Sequence, residues 1–182
     1  MPHLKPNRVH EACGPGRHLF GLFQAMQVGG PVAWVRPARA LEHLLPTGIP
    51  ADLASQLLLI TPGAKTDLLW STEEALRAGA GLVISEPDKP LSLTAGRRLQ
   101  LAAEAGRTTG LMLICDGSGS PAAETRWACE PIAGDSTRHR WDIIKNKSGT
   151  LGTWIVNWDG AQTAFDLASA TSQRSGPTQT PS

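Results

Sequence analysis

The sequence contains no tyrosine, only three phenylalanines and three cysteines, and almost no net charge. Each shortage excludes something. Cys13, Cys115 and Cys129 form no CxxC pair and are odd in number, so neither a disulfide framework nor a zinc site is expected. The five histidines fall at no metal-ligand spacing, and no HExxH is present. Lys and Arg total 17 against 16 Asp and Glu, whereas gripping DNA by charge needs a clear cationic excess. Charged residues are scarce, at 18%, while apolar ones reach 41%, a balance that argues against wholesale disorder. The longest apolar runs, Leu57 to Ile60 and Leu111 to Cys115, are far shorter than a membrane span, and no signal-like segment opens the chain. These absences predict a cytoplasmic domain with reduced thiols, no metal, no cofactor and no membrane contact. Its 182 residues suit one domain with a real core.

What is plentiful is glycine, proline and tryptophan, and the first two punctuate an alternating order of elements. Arg8 to Cys13 reads as a short buried strand ending at Gly14-Pro15-Gly16. A helix follows from about His18 to Gln27, with Leu19, Leu22, Phe23 and Met26 at helical spacing. Pro31 to Val35 and Gln56 to Ile60 read as strands, with short helical pieces at 40–45 and 51–55 between them. Asp67 is placed to cap a helix to Ala78 whose inward stripe is Leu68, Leu69, Thr72, Ala75 and Leu76. Ala80 to Ser85 is the next strand. Thr94 is placed to cap a helix to Ala105, and Gly110 to Cys115 is a fifth strand. Near-continuous apolar strands such as Leu57 to Ile60 fit a mostly parallel sheet buried under helices on both faces. Beyond a loop at 117–121, three strand-like pieces (125–130, 140–145 and 152–158) extend the sheet in antiparallel fashion. The expected organisation is an N-terminal arm over 1–7, an α/β domain over 8–166 and a disordered Ser/Thr/Gln/Pro-rich tail over 167–182.

A strand followed by a Gly-rich turn and a helix is where a phosphate-binding loop would sit. Here the turn reads Gly14-Pro15-Gly16-Arg17-His18. Set over the GK[ST] end of a working loop, Arg17 replaces the lysine and His18 replaces the magnesium-holding hydroxyl. The turn is also too short to wrap a triphosphate, and it fails GxGxxG because Leu19 stands where the third glycine belongs. The fourth strand ends Ile84-Ser85-Glu86. Ser85 occupies the place of a magnesium-binding acid, and Glu86, one residue later, should point to the opposite face. A tight structural turn is expected, with Gly14, Pro15, Gly16, Arg17 and His18 as a degenerate phosphate loop.

The strings Val9-His10-Glu11-Ala12 before Gly14-Pro15, Asp67-Leu68-Leu69-Trp70 with Glu73-Glu74-Ala75-Leu76-Arg77, Arg97-Arg98-Leu99-Gln100-Leu101-Ala102-Ala103-Glu104, Thr125-Arg126-Trp127 and Trp154-x-Val156-x-Trp158-Asp159 resemble the damage-inducible mutagenesis protein family ImuA over about residues 8 to 160. The Arg97 to Glu104 string is the most specific. That family is related to the recombinase RecA and the cell-division inhibitor SulA. The resemblance implies a RecA-like P-loop-type three-layer α/β/α domain without working nucleotide motifs. It also implies a non-catalytic accessory role in SOS-induced error-prone translesion synthesis. Its partners would be a Y-family-like polymerase subunit and an error-prone C-family polymerase. Lys145-Asn146-Lys147 resembles a recombinase string whose lysines reach a neighbouring subunit's nucleotide. Family members carry an N-terminal helical segment before this core, and the chain here starts close to its first strand, as a shortened form would. The alternatives are a SulA-like division inhibitor and a residual nucleotide-dependent recombinase accessory on single-stranded DNA.

The remaining candidates form an interface set. Arg138, Arg140, Trp141, Lys145 and Lys147 make the most basic window, with an interleaved aromatic suited to weak or indirect DNA contact. Trp141, Trp154 and Trp158 lie on adjacent strand-like pieces, the last two on one face, as core residues or as a docking surface. Arg97 and Arg98 sit early in a helix, where the helix dipole does not favour cations. Glu74 and Arg77 read as a surface ion pair. Ser118, Ser120, Cys115 and Cys129 supply no catalytic set.

Overall fold

The computed structural model describes residues 2–38, 49–64, 66–115, 119–160 and 164–174. In chain order the elements are β1 (Val9–Cys13), α1 (Arg17–Met26), β2 (Val32–Val35), α2 (Ala51–Ala54), β3 (Leu57–Ile60), α3 (Asp67–Arg77), β4 (Leu82–Ser85), α4 (Leu93–Gly106), β5 (Thr109–Leu113), β6 (Thr125–Ile132), β7 (Asp135–Asn146), β8 (Thr150–Asp159) and β9 (Ala164–Arg174). The strands form one sheet in the order β3-β2-β4-β5-β1-β6-β7-β8-β9. Strands β3 to β6 of that order run parallel. Antiparallel pairing starts only at β6 with β7. The first of the three late pieces therefore completes the parallel sheet beside β1 instead of opening the antiparallel extension.

Strand alternation divides the core in two. Ala12, Trp34, Leu82, Ile84, Leu111 and Leu113 turn to one face and meet Phe20 and Phe23 of α1. Val9, Cys13, Ala33, Val35, Val83 and Met112 turn to the other and meet Leu68 and Leu76 of α3 and Leu99, Ala102 and Ala103 of α4. On α1, Phe20 is wholly buried although the spacing argument passed over it, while Leu19 and Met26 are only partly buried. Ser92, not Thr94, caps α4: its hydroxyl accepts from the Ala95 amide at 3.1 Å. Asp67 is the first residue of α3, and no side chain caps that helix.

Two expectations are corrected. Strand β3 lies at the sheet edge, so Leu58 and Leu59 are 60% and 50% exposed despite the unbroken apolar run. The boundary at 166 also fails, because residues 167–174 continue β9 along β8 as far as the Thr150–Arg174 pair. Phe165 anchors that strand, 4.5 Å from Trp158 and 5.1 Å from Phe23 between ring centroids. An edge strand on a sheet covered on one side needs few further apolar residues. The short helix expected at 40–45, Gly117 and Ser118 of the loop, and residues 175–182 of the tail lie outside the described residues.

The N-terminal arm packs onto this sheet. Gln24 donates to the Pro2 carbonyl at 3.3 Å, and Lys5 pairs with Glu124 at 2.9 Å. Beneath the arm, a buried polar chain links Trp127 to the Thr125 hydroxyl (2.9 Å), that hydroxyl to His10 Nδ1 (2.6 Å), and His10 Nε2 to the Lys5 carbonyl (3.0 Å).

Candidate functional site

The Gly14–His18 turn closes on the sheet. Gly14 has φ +89°, and the Gly16 amide donates to the Cys129 carbonyl at 2.9 Å. A Cβ on Gly14 would lie 2.5 Å from that carbonyl oxygen and 2.6 Å from Glu130 Oε1. Glycine is thus required both by the left-handed backbone and by the approach of β6. Arg17 bends back, its guanidinium 3.2 Å from the Gly14 carbonyl. The ring of His139 on β7 borders the same turn. Its Nδ1 is buried without a hydrogen-bond partner, and burial lowers its pKa.

Ser85 and Glu86 reverse the expectation about which of them faces the turn. Ser85 is buried toward α3, where its hydroxyl meets Thr72 Oγ1 at 2.7 Å. Glu86 shares the α1 side with Trp34. Its carboxylate lies 3.4 Å from His18 Nε2 and 3.5 Å from Arg36 Nε, and it accepts from Trp34 Nε1 at 2.7 Å. Burial pushes the Glu86 pKa up, but the His18 and Trp34 hydrogen bonds and the charges of His18 and Arg36 outweigh it and hold the group below its usual range. The cluster sits where β2 and β4 are neighbours and their onward connections diverge, toward β3 and β5 respectively. That is the position at which open α/β sheets present side chains to ligands. Here one carboxylate gathers the side chains at the end of the turn, including the histidine that stands in the hydroxyl position.

A second polar network fixes the β5–β6 loop. Glu11 on central strand β1 is wholly buried and accepts from the Ser120 amide at 2.7 Å and from Arg126 Nε at 2.9 Å. A Cβ on Gly119 would collide with the same carboxylate. Lys145 donates to the carbonyls of Ser120, Pro121 and Ala123 at 3.2, 2.8 and 2.9 Å, and Lys147 to that of Ala122 at 2.8 Å. Desolvation, then the charge of Arg126, lowers the Lys145 pKa. Both lysines of the basic window are therefore tied to this chain's own backbone. A register shift in the β6–β7 pairing aims Lys145 there. Trp127 pairs with Ile143 but Arg126 with Lys145, so Ile144 is bulged and Lys145 turns away from the face of Ile143. The Glu11–Arg126 pair was not identified from sequence. Its signal was an acid set between apolar residues in a central strand.

The other predicted interface residues are dispersed. Trp141 is wholly buried, with its ring centroid 5.0 Å from Phe20 and 4.9 Å from Phe23, so it is a core residue and not a docking or base-stacking one. The aromatic face of α1 draws it inward. Trp154 and Trp158 are partly buried on the same side, against Trp127 and Phe165. Arg138 and Arg140 are exposed, and Arg140 pairs with Asp142 at 2.9 Å. Arg98 reaches Glu73 of α3 at 2.5 Å, and Glu73 also holds Arg77 at 2.9 Å. The helix pair is thus Glu73–Arg77 and not Glu74–Arg77. Arg77's hydrogen bond, then that of Arg98, keeps the Glu73 pKa low against burial. Arg97 stays exposed on the outer side of α4.

Trp70 belongs to none of the sites expected from the sequence. It is 62% exposed and, with Leu58 and Ile60, lines an apolar groove of about 580 Å³ between α3 and edge strand β3. Its position outside the α3 stripe was the available signal. No group of three or more His, Cys, Asp or Glu placed to hold a metal occurs among the described residues, and no helix among them is long and apolar enough to cross a membrane.

No family model matches the chain. It is similar to protein ImuA of Caulobacter vibrioides strain NA1000 / CB15N, at 30% identity over 154 residues, covering 70% of this chain and 60% of that protein. The figures are the same for ImuA of C. vibrioides strain ATCC 19089 / CIP 103742 / CB 15. The chain thus spans about 60% of the length of these relatives. Among solved structures, SulA from Pseudomonas aeruginosa aligns with a TM-score of 0.45 at 24% identity, covering 59% of this chain and 98% of that one.

Proposed function

Since the chain is a homologue of ImuA over most of its length, we propose that it is a non-catalytic accessory of damage-inducible, error-prone translesion DNA synthesis that works by protein contact. In this reading the core is a RecA-like P-loop-type three-layer domain that has lost its nucleotide duty. The partners are a Y-family-like polymerase subunit and an error-prone C-family polymerase. Contact with DNA is weak or indirect, no cofactor is used, and the protein works in the cytoplasm. One observation carries the proposal: the turn in the phosphate-loop position is closed by its own protein, Gly16 on the Cys129 carbonyl and His18 on Glu86. The fate of Lys145 and Lys147 supports it, because lysines held by Ser120 to Ala123 are not extended toward a neighbour's nucleotide.

Titration calorimetry with ATP and magnesium, together with a phosphate-release assay, tests the reading. No binding heat and no hydrolysis above a loop-deleted control are expected. ATP hydrolysis lost on His18→Ala would overturn the non-catalytic part. Co-pelleting with filaments of the division tubulin homologue, without binding to the Y-family-like subunit, would replace the proposal with a division-inhibitor role.

A further inference from the structure

Helix α4 presents a row that the core does not use. Leu93, Arg97 and Leu101 recur every four residues on its outer side, and the two leucines are 42% and 63% exposed. Four-residue spacing stacks them along one face, about 12 Å from end to end. They form one wall of a groove of about 360 Å³ whose other wall is Arg8, Pro121, Ala122 and Lys147. Three cations thus border an apolar strip, against one carboxylate, Glu104, which pairs with Arg8. Arg97 stands between the two leucines along the helix.

We propose that this groove is the docking site for an amphipathic, acidic segment of a protein partner, with a carboxylate set against Arg97 and apolar side chains against Leu93 and Leu101. The charge pattern selects this occupant. A second copy of the chain would bring the same cations against each other across a two-fold axis. Single-stranded nucleic acid would need stacking aromatics along the groove. None of the lining residues is aromatic, and Glu104 faces the space. A helix laid in a groove presents anchors about one turn apart, a spacing that Leu93, Arg97 and Leu101 match. This inference rests on the protein-contact reading above and adds where the contact lies and what chemistry it takes.

The test has two arms. In the first, a fluorescein-labelled helical peptide with Leu, Glu and Leu at four-residue spacing is titrated with the full chain, beside a version with Lys in place of Glu. The acidic peptide should bind at least about tenfold more tightly. Arg97→Glu should reverse the preference, Arg97→Lys should retain much of it, and Leu101→Asp should abolish binding, all with unchanged circular dichroism. In the second arm, the purified Y-family-like polymerase subunit of the same organism replaces the peptide. Binding that is unchanged by Arg97→Glu and Leu101→Asp overturns the groove and leaves the protein-contact reading standing. Peptide binding with these signs but no polymerase binding supports the groove and removes the polymerase reading. Equal binding of both peptides, or of neither at millimolar concentration, overturns the groove. So does an Arg97-dependent affinity for oligo(dT), or a dimer in light scattering that Leu101→Asp dissociates.

Discussion

The two halves of the sheet are built on different terms. From β3 to β6 the strands are parallel, and inside the β3 edge apolar residues face helices on both sides. From β7 to β9 they are antiparallel, and one side alone meets the core, through Trp141, Val156 and Phe165, while Arg138 and Arg140 remain in solvent. In the first half β2, β3 and β4 are specified by continuous apolar segments, while β1 and β6 carry the buried Glu11–Arg126 pair. The second hangs on a few aromatics that all reach α1 and its neighbours. The lesson is that the Ser/Thr/Gln-rich end of β9 can continue a strand that Phe165 ties to the core.

Removing the most buried aromatic of the antiparallel half should have the largest effect. Trp141→Ala is expected to lower unfolding free energy by about 3–5 kcal/mol in urea titration, the range for deleting a buried aromatic. A loss below about 1 kcal/mol would mean that the antiparallel half does not share the core. In the parallel half the comparable weak point is electrostatic. Glu11→Ala removes the carboxylate that holds Arg126 and the Ser120 amide and should cost about 3 kcal/mol, with proteolysis near Ser120 as a second readout.

Acid should act next, on the polar chain under the arm. Burial, against the pull of the Lys5 carbonyl, lowers the pKa of His10 from 6.5 to about 4. The native state therefore resists a proton that the unfolded chain accepts. Stability is full above pH 6.5 and falls as pH drops toward 4, by on the order of 2–3 kcal/mol. Thermal melts across that window should show the slope in the wild type and lose most of it in His10→Asn.

The turn gives a smaller signal. Gly14→Ala, strained at φ +89° and pressed on Cys129, should cost about 1–2 kcal/mol. The smallest effect belongs to the edge of the parallel half: Trp70→Ala should change stability by less than about 0.5 kcal/mol. A larger loss would show that the β3 groove is part of the folding core and not a free surface.

The elements that could be read from sequence were those whose periodicity is local. Leu22 and Phe23 marked α1, and apolar runs such as Leu82 to Ile84 marked buried strands, because burial on a known face repeats within a few residues. What could not be read depends on distant partners. The edge position of β3 is a matter of strand order, which an apolar run does not encode. The strand period puts Trp141, Ile143 and Lys145 on one face, and only the bulge at Ile144, set by pairing with β6, sends Lys145 to the opposite side. Glu86 was assigned away from the turn because the register of β4 against α1 was unknown. Trp141 was open between core and interface until its contacts with Phe20 and Phe23 were in place.

The position of β1 bears on how the chain is made. It precedes β2 to β9 in the sequence, yet its two neighbours are β5 and β6, more than ninety residues later. The centre of the sheet stays unpaired until residues 109–132 have been synthesised, so early docking of α1 has only half a floor. Contacts of such long range slow folding and prolong exposure to aggregation. Nascent chains stalled before Thr109 should therefore be held by chaperones, and those stalled beyond Ile132 should be released.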